Sequence, residues 1–226
     1  KEIFENPELL PVFNSHAIET QLHRIPGLSE WFLYMNDDMM LARDVKPSVF
    51  FSEDGLSQIF ISQVSMIDRT RPAEACVPTD FAGFNMQNII ERDFGVVPCR
   101  KMLHAPYVLR KSIIEEIHAR YHNEVKITAA SKLRSPTDIA IPSMFYHYYA
   151  WLTGRADLRK RGSERYIYID TGKAGLDEAL ASTARNPPHF LCLNATEFDE
   201  VGKDKEAELI LQFLQRLYPT KMPFEI

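Results

Sequence analysis

The sequence predicts an α/β fold: a mixed sheet flanked by helices. Three observations carry this. "RYIYID" and "HFLCLN" are short apolar runs, and "GLDEALASTARN" between them repeats its apolar residues at helical spacing. A strand–helix–strand unit pairs its two strands in parallel. "WFLYM" adds a third buried strand, and "DKEAELILQFLQRLYP" is a strongly amphipathic helix.

The remaining elements follow in chain order. "KEIFENPELLPVFN" reads as loop or short turns, because two prolines interrupt it. "SHAIETQLHRI" reads as one helix, with Ala17, Ile18, Leu22 and Ile25 at helical spacing. Asn14 or Ser15 caps its start and "PGL" ends it. A single helix there would bring His16, Glu19 and His23 together on one face. "PSVFF" reads as extended, and "GLSQIFISQVSMI" fits a strand pair or a helix. "FAGFNMQNIIERDFG" is helical. A loop spans Pro98 to Pro106, and a helix is expected from Tyr107 to Arg120. His104, two residues before Pro106, belongs to loop or extended backbone. "SPTD", Ser135 to Asp138, resembles a capping box with Pro136 at the first helical position. A long helix should follow through "IAIPSMFYHYYAWLTG", irregular at Pro142 and stopped by Gly154. "DLRKRGSER", from Asp157, reads as a solvated turn.

Composition narrows the function. The 226 residues, 45% of them hydrophobic, suffice for one globular core, so a single catalytic domain over 1–226 is expected. A net charge of −5 argues against a nucleic-acid partner. The three cysteines, Cys76, Cys99 and Cys192, are odd in number and widely spaced. That spacing argues against a disulfide framework or a zinc site and suits a reducing compartment. No apolar run reaches the length of a membrane span.

Two predicted strands run into polar residues: "WFLYM" into Asn36-Asp37-Asp38, and "FLCL" into Asn194 and Thr196. Open α/β sheets gather ligands beyond the carboxyl ends of their strands. Adjacent carboxylates suit Mg²⁺ or Mn²⁺, ions that complete their shell with substrate phosphate oxygens. A capping turn with one outward aspartate accounts for the pair as well. His104 in "KMLHAPY", near Lys101, is placed as a general base, or is simply a hydrogen-bonded histidine. Arg134, just before the expected helix start, can clamp a phosphate or form a surface ion pair. Glu19 can join a metal or position a hydroxyl, or face solvent.

Together these residues resemble the Stealth family of capsule and exopolysaccharide phosphotransferases. "LPVFNSHAIETQLHRIPGLSEWFLYMNDDMM" resembles its signature block. "HAPYVLRKSIIEEI" with "KLRSPTDIAIPSMFYHYYAWLTG" resembles a second block, and "FLCLNATEFD" with "LQRLYPTKMPFEI" a third. The resemblance implies a Rossmann-like (GT-A-like) mixed sheet. It implies transfer of a sugar-1-phosphate, commonly from a UDP-N-acetylhexosamine such as UDP-N-acetylglucosamine, to a hydroxyl of a polysaccharide acceptor. UMP leaves and a phosphodiester forms.

Carried onto this chain, the family's catalytic positions fall on Glu19, Asp38, His104 and Arg134. Asp37 and Asp38 would hold the divalent ion, while Asn36, His16, Asn14 and Lys101 would contact substrate. The resemblance further implies an upstream strand block ending in aspartate, which nothing here matches. It also implies an acidic residue where Ala195 stands. The expected setting is bacterial cytoplasm, peripheral to the inner membrane, with a homo-oligomer left open. Two alternatives stand beside this reading: a metal-dependent glycosyltransferase that releases UDP, and an inactive or structural fragment.

Overall fold

The computed structural model describes residues 2–66, 68–159, 165–195 and 200–220. Contacts divide the chain into two compact units. The first comprises residues 1–34, 47–103 and 107–160; the second comprises 35–46, 104–106 and 161–226. The α/β class and the mixed, helix-flanked sheet structure agree with expectation. The strands are distributed among three short sheets.

In the first unit, β1 (Trp31–Tyr34) pairs antiparallel with β5 (Tyr107–Arg110), setting Tyr34 opposite Tyr107. A second sheet has β3 (Ser57–Ser65) at its centre, antiparallel to β4 (Arg100–Met102) and parallel to β6 (Ala156–Arg159). The helices are α1 (Ser15–Glu19), α2 (Pro78–Phe94), α3 (Lys111–Arg120), α4 (His122–Ala130) and α5 (Tyr146–Leu152). Ile113, Ile114 and Ile117 of α3 recur at helical spacing and are fully buried. Tyr121, Phe145 and Tyr149 pack beside them as edge-on and tilted aromatic pairs. Gly95 ends α2 with a positive φ of 67°, a conformation that glycine adopts without Cβ strain.

Several local expectations are corrected here. Tyr107–Arg110 is a strand, not the first turn of a helix, because pairing with β1 and burial of Tyr107, Val108 and Leu109 outweigh helical continuity. The expected 15–25 helix stops at Glu19 and resumes as a 3-10 turn over Leu22–Arg24. The Thr20 hydroxyl donates back to the Ala17 carbonyl at 2.7 Å, and the Gln21 amide bonds three residues back to Ile18. His23 therefore packs on His118, with ring centroids 4.1 Å apart, instead of sharing a face with His16 and Glu19.

"SPTD" forms a turn and starts no helix. The buried Asp138 carboxylate accepts from the Ser135 amide at 2.9 Å, so the cap closes on itself. Helical structure begins later, as a π-helical turn over Ile141–Phe145 that runs into α5. Pro142 sits in its first turn, where no amide is needed. "PSVFF" contributes a 3-10 turn over Pro47–Val49. The ambiguous stretch after Gly55 is one long strand, β3. Asp157–Arg159 lie in β6, and the rest of that basic run up to Glu164 lies outside the described residues.

In the second unit the order is β2 (Met39–Leu41), β8 (Phe190–Asn194), β7 (Tyr166–Asp170). β7 and β8 are parallel, as the strand–helix–strand pattern predicts, and β2 runs antiparallel to β8. Helices α6 (Leu176–Arg185) and α7 (Lys203–Leu217) bury Leu176, Leu180 and Phe213 against Ile169, Leu191 and Leu193. The Thr171 hydroxyl donates to the buried Glu206 carboxylate, fastening the end of β7 to α7. Among the described residues, no helix is long and apolar enough to cross a membrane.

Candidate active site

The second unit builds a polar cluster at the start of β2. Asn36-Asp37-Asp38-Met39 forms a tight turn, closed by the Met39 amide donating to the Asn36 carbonyl at 3.1 Å. The Leu193 amide donates to the Asp38 carbonyl at 3.0 Å, so the β8 ladder fixes the backbone of Asp38. Asp37 is exposed, whereas the Asp38 side chain is only 15% exposed.

Three donors converge on the Asp38 carboxylate. His104 Nε2 lies 3.1 Å from each of its oxygens. The Asn194 side-chain amide donates to Oδ2 at 2.5 Å, and the Cys192 thiol approaches the same oxygen at 3.4 Å. Cys192 and Asn194 alternate along β8, so both project from one face of that strand. Asn36 Nδ2 lies 3.5 Å from His104 Nε2.

This arrangement defines the histidine. A carboxylate accepts only, so His104 Nε2 carries the proton and Nδ1 presents the lone pair. The His104 side chain is 36% exposed, which leaves that nitrogen in reach of a ligand. Burial, with the Asp38 charge beside it, pushes the Cys192 thiol well above the usual range. Burial likewise raises the Tyr166 hydroxyl, and Cys192 adds to the shift.

Asp38, His104 and Cys192 offer an oxygen, a nitrogen and a sulfur within 4.8 Å of one another, a grouping compatible with a metal ion. Of the three, only the carboxylate suits a hard cation. Cys192, as a protonated donor to Asp38, is not disposed as a thiolate ligand. Asp38 thus supplies the one oxygen ligand of the set, and both of its carboxylate oxygens already lie within hydrogen-bond distance of protein groups.

The first unit builds a second cluster, around α1. Asn14 caps the helix through its carbonyl oxygen, which accepts from the His16 amide at 3.1 Å. Its Nδ2 faces the Ser131 and Leu133 carbonyls and lies 2.8 Å from the Asp138 carboxylate. Asn14 is fully buried and its polar atoms are committed to the fold. His16, also buried, has Nδ1 3.5 Å from the Asp138 carboxylate, a contact outside good hydrogen-bond geometry. Burial lowers its pKa, the Arg134 charge lowers it further, and Asp138 opposes both.

Arg134 donates to the Ser15 hydroxyl at 3.1 Å. The Glu19 Oε1 accepts from the Tyr34 hydroxyl at 2.9 Å, while its Oε2 is buried with no partner among the described residues. Burial raises the Glu19 pKa to about 7, against the opposing pull of the Tyr34 hydrogen bond and the Arg134 charge. Lys101 lies in β4, where it lines a small cavity of about 90 Å³ with Asp80 and Met144.

Sequence reasoning placed Asp38 beside His104 in purpose, and the fold places them side by side. The strand end at Asn194 was marked without a role for that residue, while Cys192 and Tyr34 were missed as site residues. The signal for Cys192 was present: in an apolar strand, two hydrogen-bonding side chains two residues apart mark one face.

Fold and site together define an α/β protein with an acid–histidine pair braced from a strand end. Three conserved-region families match in chain order: Stealth protein CR2 over residues 1–59, CR3 over 103–150 and CR4 over 181–226. The chain belongs to the Stealth family. It is 44% identical to an exopolysaccharide phosphotransferase of Streptomyces coelicolor over 225 residues, 99% of this chain and 38% of that protein. It is 39% identical to exopolysaccharide phosphotransferase CpsY of Mycobacterium tuberculosis over 224 residues, 98% of this chain and 41% of that protein. An exopolysaccharide phosphotransferase of Nocardia farcinica is 37% identical over 223 residues, 98% of this chain and 44% of that protein. The chain thus spans about two fifths of the length of these relatives.

Proposed function

We propose that this protein transfers a hexose-1-phosphate, of the N-acetylhexosamine type, from a UDP-sugar to a hydroxyl of a growing exopolysaccharide or capsular glycan. The observation that carries the reading is the Asp38–His104 pair, with His104 Nε2 3.1 Å from both carboxylate oxygens. Asp38 and His104 lie within the residues that match two of the family's conserved regions. The names of the relatives support phosphotransfer to an exopolysaccharide.

In this reading His104 Nδ1 takes the proton of the acceptor hydroxyl as its oxygen attacks the sugar-bearing phosphorus. The bond from that phosphorus to the bridging oxygen breaks, and UMP leaves. Asp38 holds the imidazole in the required tautomer and stabilises the imidazolium that forms. Asn194 and Cys192 hold Asp38. Arg134 clamps the transferring phosphate through its guanidinium fork. Glu19, with its carboxyl near half-protonation at neutral pH, positions an acceptor hydroxyl with Tyr34. Asn36 and Lys101 contact substrate. Asn14 and His16 serve indirectly, by fastening the 131–138 turn that carries Arg134.

Mg²⁺ or Mn²⁺ at Asp37 and Asp38 would neutralise charge on the donor diphosphate. The chain acts as one catalytic domain in the bacterial cytoplasm, at the inner membrane surface.

Chromatography of the nucleotide released from UDP-N-acetylglucosamine, with a polysaccharide primer and Mg²⁺, tests the reading. UMP is expected. UDP would support a glycosyltransferase instead. His104→Ala and Asp38→Asn should each lower kcat by roughly 10²–10⁴-fold; undiminished turnover in both would remove the assigned roles.

A further inference from the structure

A cavity of about 370 Å³ opens in the first unit among the N-terminal segment, the 3-10 turn after α1, and helices α3 and α4. Its size falls in the range of small-molecule pockets and far exceeds one water. None of the roles assigned above uses its lining. Phe4, Leu9, Val125 and Ala129 supply apolar wall; Gln21 and His118 supply polar groups; Arg24 and Lys126 supply charge.

Two buried atoms in this lining have no partner among the described residues: Gln21 Oε1 and His118 Nε2. Their chemistry is fixed by their neighbours. The Thr20 hydroxyl spends its one proton on the Ala17 carbonyl at 2.7 Å, so toward Gln21 it can only accept. Gln21 therefore turns its amide NH₂ to Thr20, at 2.7 Å, and keeps its carbonyl oxygen unpaired. Gln21 is only 5% exposed.

A neutral imidazole carries one lone pair, and Nε2, the buried ring nitrogen without a partner among the described residues, is placed as the acceptor. Burial lowers the His118 pKa and keeps the ring neutral. The cavity thus presents two acceptors that lack donors, a costly state for buried polar atoms. The charged lining adds Arg24 and the exposed Lys126, against the single carboxylate of Glu5, which already pairs with Arg24 at 2.8 Å. Acceptors inside and positive charge at the edge ask for a ligand that donates hydroxyl protons and carries negative charge.

We propose that this cavity binds a polyhydroxylated anion of monosaccharide size, a uronate or a hexose phosphate. Its hydroxyls donate to Gln21 Oε1 and His118 Nε2, and its charge meets Arg24 and Lys126. The site stands apart from the residues assigned to phosphotransfer and does not depend on that reading.

Titration of the protein with glucuronate, glucose 6-phosphate, glucose and inorganic phosphate tests it, followed by calorimetry and by the His118 ring signals in NMR. Glucuronate or glucose 6-phosphate should bind saturably and shift the His118 signals, and the tighter of the two identifies the anionic group. Glucose should bind more weakly, and phosphate should leave His118 unmoved. Gln21→Met, which removes the acceptor at similar volume, should weaken the sugar anion by roughly tenfold. Lys126→Gln, on the exposed edge, should weaken both anions and spare glucose. Absence of saturable binding by either sugar anion, or binding unchanged in both variants, would overturn the proposal and leave a hydrated cavity. Because binding is read without turnover, failure here is distinguishable from failure of the transferase reading.

Discussion

Glu19 shows how burial turns one carboxyl into a measurable feature. Its folded pKa of about 7 stands above its ordinary value of 4.5, because burial penalises the charge more than Tyr34 and Arg134 favour it. A raised carboxyl pKa means that the unfolded chain ionises first. Stability therefore falls as pH rises from about 4.5 to about 7, and the loss persists above that window. Glu19→Gln should leave stability at pH ~4 nearly unchanged and raise it by about 1–3 kcal/mol at pH ~8. Urea unfolding midpoints at the two pH values measure this, and an equal effect at both would contradict the burial argument.

At the same scale, Asp37 and Asp38 looked equivalent in sequence. Only Asp38 turns inward, because the Leu193 amide holds its backbone and Asn194 and Cys192 receive its carboxylate. Those partners come from more than 150 positions along the chain, so local pattern could not separate the two residues.

At the scale of elements, the chain reads correctly where burial and periodicity agree. β7, α6, β8 and α7 were all legible, because alternation of short apolar runs with amphipathic helices needs no distant partner to be recognised. The expectations failed where long-range contacts override local preference. Tyr107–Arg110 is strand because β1 lies beside it, and "SPTD" starts no helix because Asp138 turns inward to Asn14.

Asn14 is the element-scale hinge of that second case. It caps α1 and meets a buried carboxylate across 124 residues of sequence. Asn14→Ala should cost about 3 kcal/mol, through loss of the cap and of one of the donors to the buried Asp138 carboxylate, which would keep the Ser135 amide. Thermal or denaturant unfolding reads this directly; a cost under about 1 kcal/mol, the size of a cap alone, would show that the Ser135 amide suffices for Asp138.

At the scale of the whole molecule, the family was legible because three of its conserved regions follow one another in order along the chain. The braced site was less so, since its bracing strand is remote in sequence. The bracing has a consequence for metal dependence. Asp38 already accepts from His104, Asn194 and Cys192, so its charge is compensated by protein groups alone. Chelation should therefore abolish turnover without lowering the unfolding midpoint, and Mg²⁺ or Mn²⁺ should restore activity. A large drop in the midpoint on chelation would instead point to a structural ion.

The proposed transfer breaks the bond from the donor's sugar-bearing phosphorus to the bridging oxygen, with His104 as the base. The most direct measurement follows the donor's sugar-proximal phosphorus. With a UDP-sugar radiolabelled at its β-phosphorus and a polysaccharide primer, label should be retained in the glycan as a phosphodiester, at a rate lowered roughly 10²–10⁴-fold with His104→Ala. Label leaving with UDP while sugar enters the glycan would contradict it.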